Sequence, residues 1–252
     1  MINLLINGAS GKMGQVVAEQ VAKKENCQVL CGIDANPISN SPFPIYTSTQ
    51  EILQIPDVII DFSLPVATLS ILEYANSHHI PIVIATTGFS EEQLSCIQNY
   101  SKTLPIFKAA NMSFEVNLMA DLVAKLSTQL KNSDIEIVET HHHNKVDAPS
   151  GTALFLADSI NQAQNNTMDY EYNRHSKREK RKASEIGIHS IRGGTEVGKH
   201  TVYFFGDNES FEITHTVNSR SIFANGAIQA AEYIIGKDNG LYDMKDMIGE
   251  SC

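Results

Sequence analysis

Along the first hundred or so residues, short apolar runs closed by small or acidic residues alternate with stretches of helical spacing. Ile2–Ile6 is the first such run and ends at Asn7-Gly8. Runs of this length, without polar alternation and with glycine at the edge, read as buried parallel strands. Lys12–Lys24 then sets Met13, Val16, Val17 and Val21 on one helical face. The next run, Gln28–Ile33, ends in Asp34. Strands are expected again at Asp57–Phe62, Pro81–Ala85 and Leu104–Lys108, with helices between them at Val66–Ser77 and Ser90–Tyr100. Ser90 is placed to cap the second of these helices, and Glu91 and Glu92 fall in its first turn, where the dipole favours negative charge. Alternation of this kind predicts parallel βαβ units with right-handed crossovers.

The rhythm changes after Asn111. Val116–Leu130 reads as a long helix and Leu154–Gln162 as a shorter one. Between them, Asp134–His142 reads as a strand with Ile135 and Ile137 on one face and Glu136 and Val138 on the other. Three later runs, Glu185–Arg192, His200–Phe205 and Ser210–Val217, are separated by short turns and predict an open mixed or antiparallel sheet. Ser221–Gly236 is an Ala-rich helix. The expected fold class is α/β. A Rossmann-like parallel-sheet domain spans residues 1–112 and is completed by the C-terminal segment 221–252. A second, α+β domain with an open mixed sheet spans 113–220.

Composition restricts the function without naming it. Hydrophobic residues make up 42% of the 252 and charged residues 19%, ordinary values for a globular chain with a sizeable core. A net charge of −10 argues against general nucleic-acid binding, which needs a basic surface. No apolar run approaches the ~18 residues of a membrane helix, and the N-terminus lacks the basic region of a signal peptide. A soluble cytoplasmic protein is expected. Cys27, Cys31, Cys96 and Cys252 form no CxxC pair and read as reduced thiols. Asn165–Ser184 holds six of the 19 basic residues and reads as a mobile, solvated loop rather than a nucleic-acid patch.

Candidate chemistry lies in two places. The first is Gly8-Ala9-Ser10-Gly11-Lys12-Met13-Gly14, which joins the first strand to the first helix. Its glycines are spaced G-x-x-G-x-x-G, a variant of the dinucleotide fingerprint. Glycine permits the tight turn, and a helix N-terminus offers N–H groups and a positive dipole to a pyrophosphate. Asp34 stands 20 positions after Gly14, at the end of the second strand, where a carboxylate holds ribose hydroxyls and repels a 2′-phosphate. Ala35 supplies no arginine for NADP, whereas Lys12 leaves dual use open. Two more strand ends should line the same cleft: Ala85-Thr86-Thr87 and Ala109-Ala110-Asn111-Met112. Thr86 and Asn111 offer short polar groups suited to a nicotinamide ring.

The second is ETHHHNKVDAPSGTA, Glu139–Ala153. Three consecutive histidines on a strand end alternate in direction, so His141, His142 and His143 do not converge on one ion, and no metal site is expected. Acid–base chemistry suits the stretch better. Lys145 and His142 supply a receptor for a carboxylate, and the N–H groups near Ser150, Gly151 and Thr152 open a helix and add an anion site. His141 or Lys145 is placed to deliver a proton. A hydride donor on one domain and a cationic, proton-donating pocket on the other describes the reduction of a small anionic substrate.

With these residues in view, the chain resembles the dihydrodipicolinate reductase family over essentially its whole length. The resemblance rests on GASGKMG, ATTGF, AANMS, EIGIHSIRGG, VGKHTV and, most specifically, HHHNKVDAPSGTA. It implies reduction, with NADH or NADPH, of the cyclic dicarboxylate formed by dehydration of 4-hydroxy-tetrahydrodipicolinate. It also implies a homotetramer and hinge closure between domains. Carried over by position, His141 and Lys145 match the family's proton-transfer residues, and His142, Gly151 and Thr152 match substrate contacts. Gly8–Met13, Asp34, Ala85–Thr87 and Ala109–Met112 match cofactor contacts. Lys12 departs from the arginine many members carry in the glycine turn and Ala35 from the arginine some carry after the ribose-binding acid, which points to NADH as the preferred cofactor. Met112 replaces a common phenylalanine. A different Rossmann-type oxidoreductase would lack the KVDAPSGT turn, and a non-catalytic dinucleotide sensor would need no proton donor.

Overall fold

The computed structural model describes residues 1–250; Ser251 and Cys252, the last of the four cysteines, lie outside the described residues. The chain forms two compact units: Met1–Phe114 together with the segment from Ser221 onward, and Glu115–Arg220.

The first unit opens with β1 (Ile2–Asn7), α1 (Lys12–Val21), β2 (Cys27–Ile33), β3 (Ile45–Tyr46), β4 (Val58–Asp61), α2 (Pro65–His78), β5 (Ile82–Ile84), α3 (Glu91–Tyr100) and β6 (Pro105–Lys108). The second unit follows with α4 (Phe114–Gln129, whose first residue belongs to the first unit), β7 (Asp134–His141), α5 (Gly151–Ala163), β8 (Asp169–Glu171), β9 (Glu185–Arg192), β10 (Gly198–Phe205) and β11 (Ser210–Val217). The chain then returns to the first unit with α6 (Ser221–Ile234), β12 (Gly240–Tyr242) and α7 (Met244–Glu250).

In the first unit seven strands run in the order β12-β6-β5-β4-β1-β2-β3, and every pairing is parallel. The order reverses at β1, so the carboxyl ends of β1 and β4 flank a topological switch point, where open parallel sheets bind their ligands. The strands are apolar throughout because both faces are covered. Leu4, Ile6, Val58 and Ile60 pack with α1 and α6. Leu5, Ile59, Ile82, Ile84 and Ile106 face the opposite way and pack with Ile71, Leu72 and Ala75 of α2 and Ile97 of α3. Ser90 caps α3 through a reciprocal capping box with Gln93, as the sequence pattern indicates. The sequence pattern does not reveal β3, β12 or α7; strands of two or three residues are too short to carry a period.

In the second unit five strands run in the order β11-β10-β7-β9-β8. The pairings β7–β9 and β8–β9 are parallel, while β10 is antiparallel to both β7 and β11, so the sheet is mixed. Met119 and Val123 of α4 and Leu156 and Ile160 of α5 pack on one face, against Ile135, Ile137, Ile186, Ile188, Val202 and Phe204.

Over residues 172–184 the basic segment is a largely exposed loop, as expected, but it is also anchored. It contains β8, and three of its six basic side chains are ion-paired: Arg174 with Glu185, Lys177 with Glu171, and Arg181 with Asp134 at 2.7 Å and Glu136 at 3.1 Å. Arg181 also donates to the Ile135 carbonyl at 2.8 Å, so the segment is laced to the sheet. Its partners on β7 lie more than forty positions away in sequence, beyond the reach of local charge patterning.

Gly226 in α6 sits where a Cβ would collide with the carbonyl of Met112. The helix therefore approaches the backbone after β6 more closely than any other residue type allows. Gly226→Ala should lower stability by roughly 1–3 kcal/mol through overpacking. Chemical unfolding checks this, and a variant as stable as the parent would contradict the close approach.

Candidate active site

The β1–α1 turn is built around Gly8, whose φ of 83° is left-handed. A side chain there would also meet the Phe62 carbonyl. The turn closes through the Gly11 N–H to the Gly8 carbonyl at 3.0 Å and is fixed to β2 by the Gly8 N–H to the Ile33 carbonyl at 2.8 Å. Gly11 caps α1 without any side-chain hydrogen bond, and no acidic residue occupies the first turn. The positive end of α1 thus carries no side-chain cap or first-turn acid of its own. Asp34 accepts from the Ser10 N–H at 3.0 Å and the Asn36 N–H at 2.9 Å, one bond to each oxygen. This set fits a dinucleotide: a glycine turn and helix N-terminus for phosphate, and an oriented carboxylate one strand away for a ribose. Lys12 is exposed, while Met13 packs on the core.

Beneath the switch point lies Asp61, which is fully buried. Its carboxylate accepts from Asn7 at 2.8 Å, Ser63 at 2.5 Å, Thr68 at 2.6 Å and Thr86 at 2.8 Å. Burial pushes its pKa up, against these four bonds, which favour the ionised form. The Thr86 hydroxyl also accepts the Ser63 N–H at 2.9 Å, so Thr86 ties the ends of β4 and β5 together. Thr87 is exposed beside it. Ala109 and Ala110 follow β6; Asn111 accepts the Ser113 N–H at 2.9 Å, and Met112 is buried in the core.

In the second unit, Ile135, Ile137, Glu139 and His141 fall on the same face of β7, so Glu139 and His141 continue an apolar row. Glu139 is fully buried. Arg192 of β9 grips it bidentately, Nη1 to Oε2 and Nη2 to Oε1, each at 2.8 Å. The Ser150 N–H donates to Oε1 at 3.1 Å, and His141 Nδ1 lies 2.6 Å from Oε2. Burial opposes ionisation of Glu139, but the bonds from Arg192, Ser190, His141 and Ser150 outweigh it and pull the pKa down to about 2. The Ser150 hydroxyl caps α5 by accepting the Ala153 N–H at 3.1 Å and lies 2.9 Å from His200 Nε2. His200 stands edge-on to His141 with ring centroids 5.1 Å apart. Desolvation first, and then the neighbouring His141, lower the His200 pKa to about 4.

Lys145 donates to both oxygens of Asp147, at 2.8 and 2.9 Å. Arg192 Nη2 donates to the Asp147 carbonyl at 2.6 Å, so the same guanidinium holds the Lys145 loop. Gly151 and Thr152 form the first turn of α5, and around Gly151 even an added Cβ would meet only open space. The three histidines diverge. His141 is buried, His142 keeps a buried Nδ1 with no partner among the described residues, and His143 is exposed. The structure therefore gathers His141, Ser150 and the start of α5 around Glu139, with Lys145 on the adjoining loop. Glu139, Arg192, His200 and Asp61 were not singled out from sequence. The available signal was a carboxylate in phase with the apolar row of a strand, which holds for Glu139 on β7 and also for Asp61 in DVIID.

The depressed pKa of His200 carries a pH consequence. A histidine whose pKa falls from 6.5 to about 4 on folding is protonated more readily in the unfolded chain. Its contribution is whole above the unfolded value and is lost as pH falls from 6.5 towards about 4. Denaturant unfolding across that window should show the parent losing up to ~3 kcal/mol more than His200→Gln. Parallel curves for the two proteins would contradict the assignment.

The model of the dihydrodipicolinate reductase N-terminus matches residues 2–112, and that of its C-terminus matches residues 115–248. A 4-hydroxy-tetrahydrodipicolinate reductase of Caldanaerobacter subterraneus subsp. tengcongensis is 46% identical over 248 residues, covering 98% of each chain. The enzyme of the same name from Clostridium novyi is 43% identical over 249 residues, again covering 98% of each. Among solved structures, a dipicolinate-bound dihydrodipicolinate reductase from Paenisporosarcina sp. TG-14 aligns with a TM-score of 0.82 and 26% identity, over 96% of this chain and 97% of that one. A scyllo-inositol dehydrogenase from Lactobacillus casei with bound NAD(H) and scyllo-inositol shares the fold alone, with a TM-score of 0.59 and 13% identity over 98% and 92% of the two chains. With both family halves matched in order and relatives this similar along their full length, the chain belongs to the dihydrodipicolinate reductase family.

Proposed function

We propose that the first unit holds NAD(P)H at the β1–α1 turn, and that the second binds a small cyclic dicarboxylate at the turn from β7 to α5. The chain is an NAD(P)H-dependent reductase. It converts the dehydrated form of 4-hydroxy-tetrahydrodipicolinate to tetrahydrodipicolinate, a step of diaminopimelate and lysine biosynthesis. The observation that carries the site assignment is the Glu139-centred cluster, which sets a buried imidazole, a cation-bearing loop and a capped helix N-terminus at one strand end.

On the first unit, Gly8, Ala9, Ser10, Gly11, Lys12 and Met13 would surround the pyrophosphate, with backbone N–H groups and the α1 dipole supplying the attraction. Asp34 would hold the ribose. Ala85, Thr86, Thr87, Ala109, Ala110, Asn111 and Met112 would frame the nicotinamide end. The Thr86 hydroxyl is already committed to Asp61 and Ser63, so its part is to shape the β5 end. When bound, NAD(P)H supplies the hydride. We infer a preference for NADH, because the Asp34 carboxylate faces the position of a 2′-phosphate and Ala35 offers no counter-charge.

On the second unit, Gly151 and Thr152 receive one carboxylate at the positive end of α5, and Lys145 and His142 meet the ligand's negative charge. The unpartnered Nδ1 of His142 supports a ligand contact. Ser150 acts through the turn it caps, since its hydroxyl is occupied by Ala153 and His200. Lys145, paired with Asp147, would give a proton to the carbon next to the one that takes the hydride, and His141 would exchange protons with it or with the substrate. The dipicolinate bound by the Paenisporosarcina enzyme is a ligand of this class.

A homotetramer is part of the same reading: the sheet face turned away from α4 and α5 carries exposed Ile191 and Phe205, suited to burial against other copies. No described helix is long and apolar enough to cross a membrane. We assign the protein to the cytoplasm because its reductant is a pool of the cell interior.

Two measurements test the reading. Oxidation of NADH should follow addition of hydroxy-tetrahydrodipicolinate generated in situ, and Lys145→Ala should lower kcat by ~100-fold or more with NADH binding little changed. A protein that binds NADH but never oxidises it with this substrate would contradict the assignment. Asp34→Ala should weaken NADH more than NADPH, by ~10-fold in the ratio of their Kd values; an unchanged ratio would remove Asp34 from the ribose site.

A further inference from the structure

We propose that Glu139, clamped by Arg192, is the positioning residue of this site: it fixes His141 with its proton on Nδ1, presents Nε2 as the working nitrogen, and holds the Lys145 loop and the α5 cap in register with it. This rests on the reading of His141 as a proton-transfer residue.

The tautomer follows from valence. An ionised carboxylate has no hydrogen and can only accept, so the 2.6 Å contact requires His141 Nδ1 to be the donor. Nε2 is then the nitrogen left to take or give a proton. Its surroundings are kept open by a small residue, since a Cβ on Gly198 would come within 3.1 Å of it.

Arg192 makes this arrangement tenable. A lone buried carboxylate beside an imidazole would trap the ring as a fixed ion pair; with the guanidinium bound to both oxygens, the cluster already carries a compensating charge. Arg192 also reaches the Asp147 carbonyl, and Glu139 Oε1 accepts the Ser150 N–H. One carboxylate and one guanidinium therefore set the ends of β7 and β9, the Lys145 loop and the first turn of α5. The charged or titratable groups around His141 are Glu139 on its own strand, Arg192 on β9, His200 on β10, and Lys145 with Asp147 on the loop. Buried His200 forms an uncharged wall against the ring.

Glu139→Gln keeps the shape and removes the charge. It should lower kcat by ~10-fold or more, as loss of an orienting partner does, with the Kd for NADH within about twofold, and it should alter the pH profile of kcat. Full turnover with an unchanged profile would overturn the proposal. If the variant does not fold, nitrogen-15 NMR of histidine-labelled parent protein decides. At a pH where the ring is neutral, His141 must carry its proton on Nδ1, and a signal from the Nε2-protonated form would overturn the proposal. His141→Asn separates the two readings. If it leaves turnover intact, the proton-transfer role itself falls. If it abolishes turnover while Glu139→Gln does not, only the positioning role falls.

Discussion

A buried carboxylate gripped by a guanidinium is the interaction on which the second unit's functional end depends. Glu139 lies at the centre of a mixed sheet with no access to solvent, where an unpaired charge is strongly destabilising. Two charge-assisted bonds from Arg192 and further donors from Ser150 and His141 make ionisation favourable there, and the pKa of Glu139 falls to about 2 against the opposing effect of burial. The partners come from β7, β9 and the α5 cap, so the charge also fixes where those elements end. His141, the Lys145 loop and Gly151–Thr152 take their places from that arrangement.

The first unit uses a related device with a different balance. Asp61 also sits at a strand end without solvent, but its four partners are the neutral side chains of Asn7, Ser63, Thr68 and Thr86. With no cation beside it among the described residues, burial prevails and its pKa rises. What the two sites share is mechanical. A buried acid at the carboxyl end of a sheet ties neighbouring strands together, and the loops that leave those strands inherit a fixed geometry.

The fold class was legible in the sequence because each long element carries its own period. Fully apolar strands signalled the parallel sheet, and the closely spaced runs Glu185–Arg192, His200–Phe205 and Ser210–Val217 signalled an open mixed sheet. The Gly8–Gly14 turn and the Ser150 cap were legible for the same reason, since turn and cap chemistry is local. Glu139 and Arg192 were harder. Each lies in a separate stretch of sequence, and their meeting depends on the parallel register of β7 and β9 across 53 positions. The basic segment is the exposed loop its composition indicates, but its anchoring was not legible: Arg181 finds Asp134 and Glu136 through tertiary pairing that charge counting along the chain does not reveal.

The most direct measurement of the Glu139–Arg192 clamp is a double-mutant cycle on folding stability with Glu139→Gln, Arg192→Met and the pair together. Arg192→Met leaves the buried Glu139 charge uncompensated, Glu139→Gln leaves the partly exposed Arg192 without its carboxylate, and the double change removes both charges. The double variant is expected to be more stable than the sum of the single losses implies, with a coupling of ~2 kcal/mol or more. Additivity within ~0.5 kcal/mol would mean that the two charges do not depend on each other, and would contradict the account.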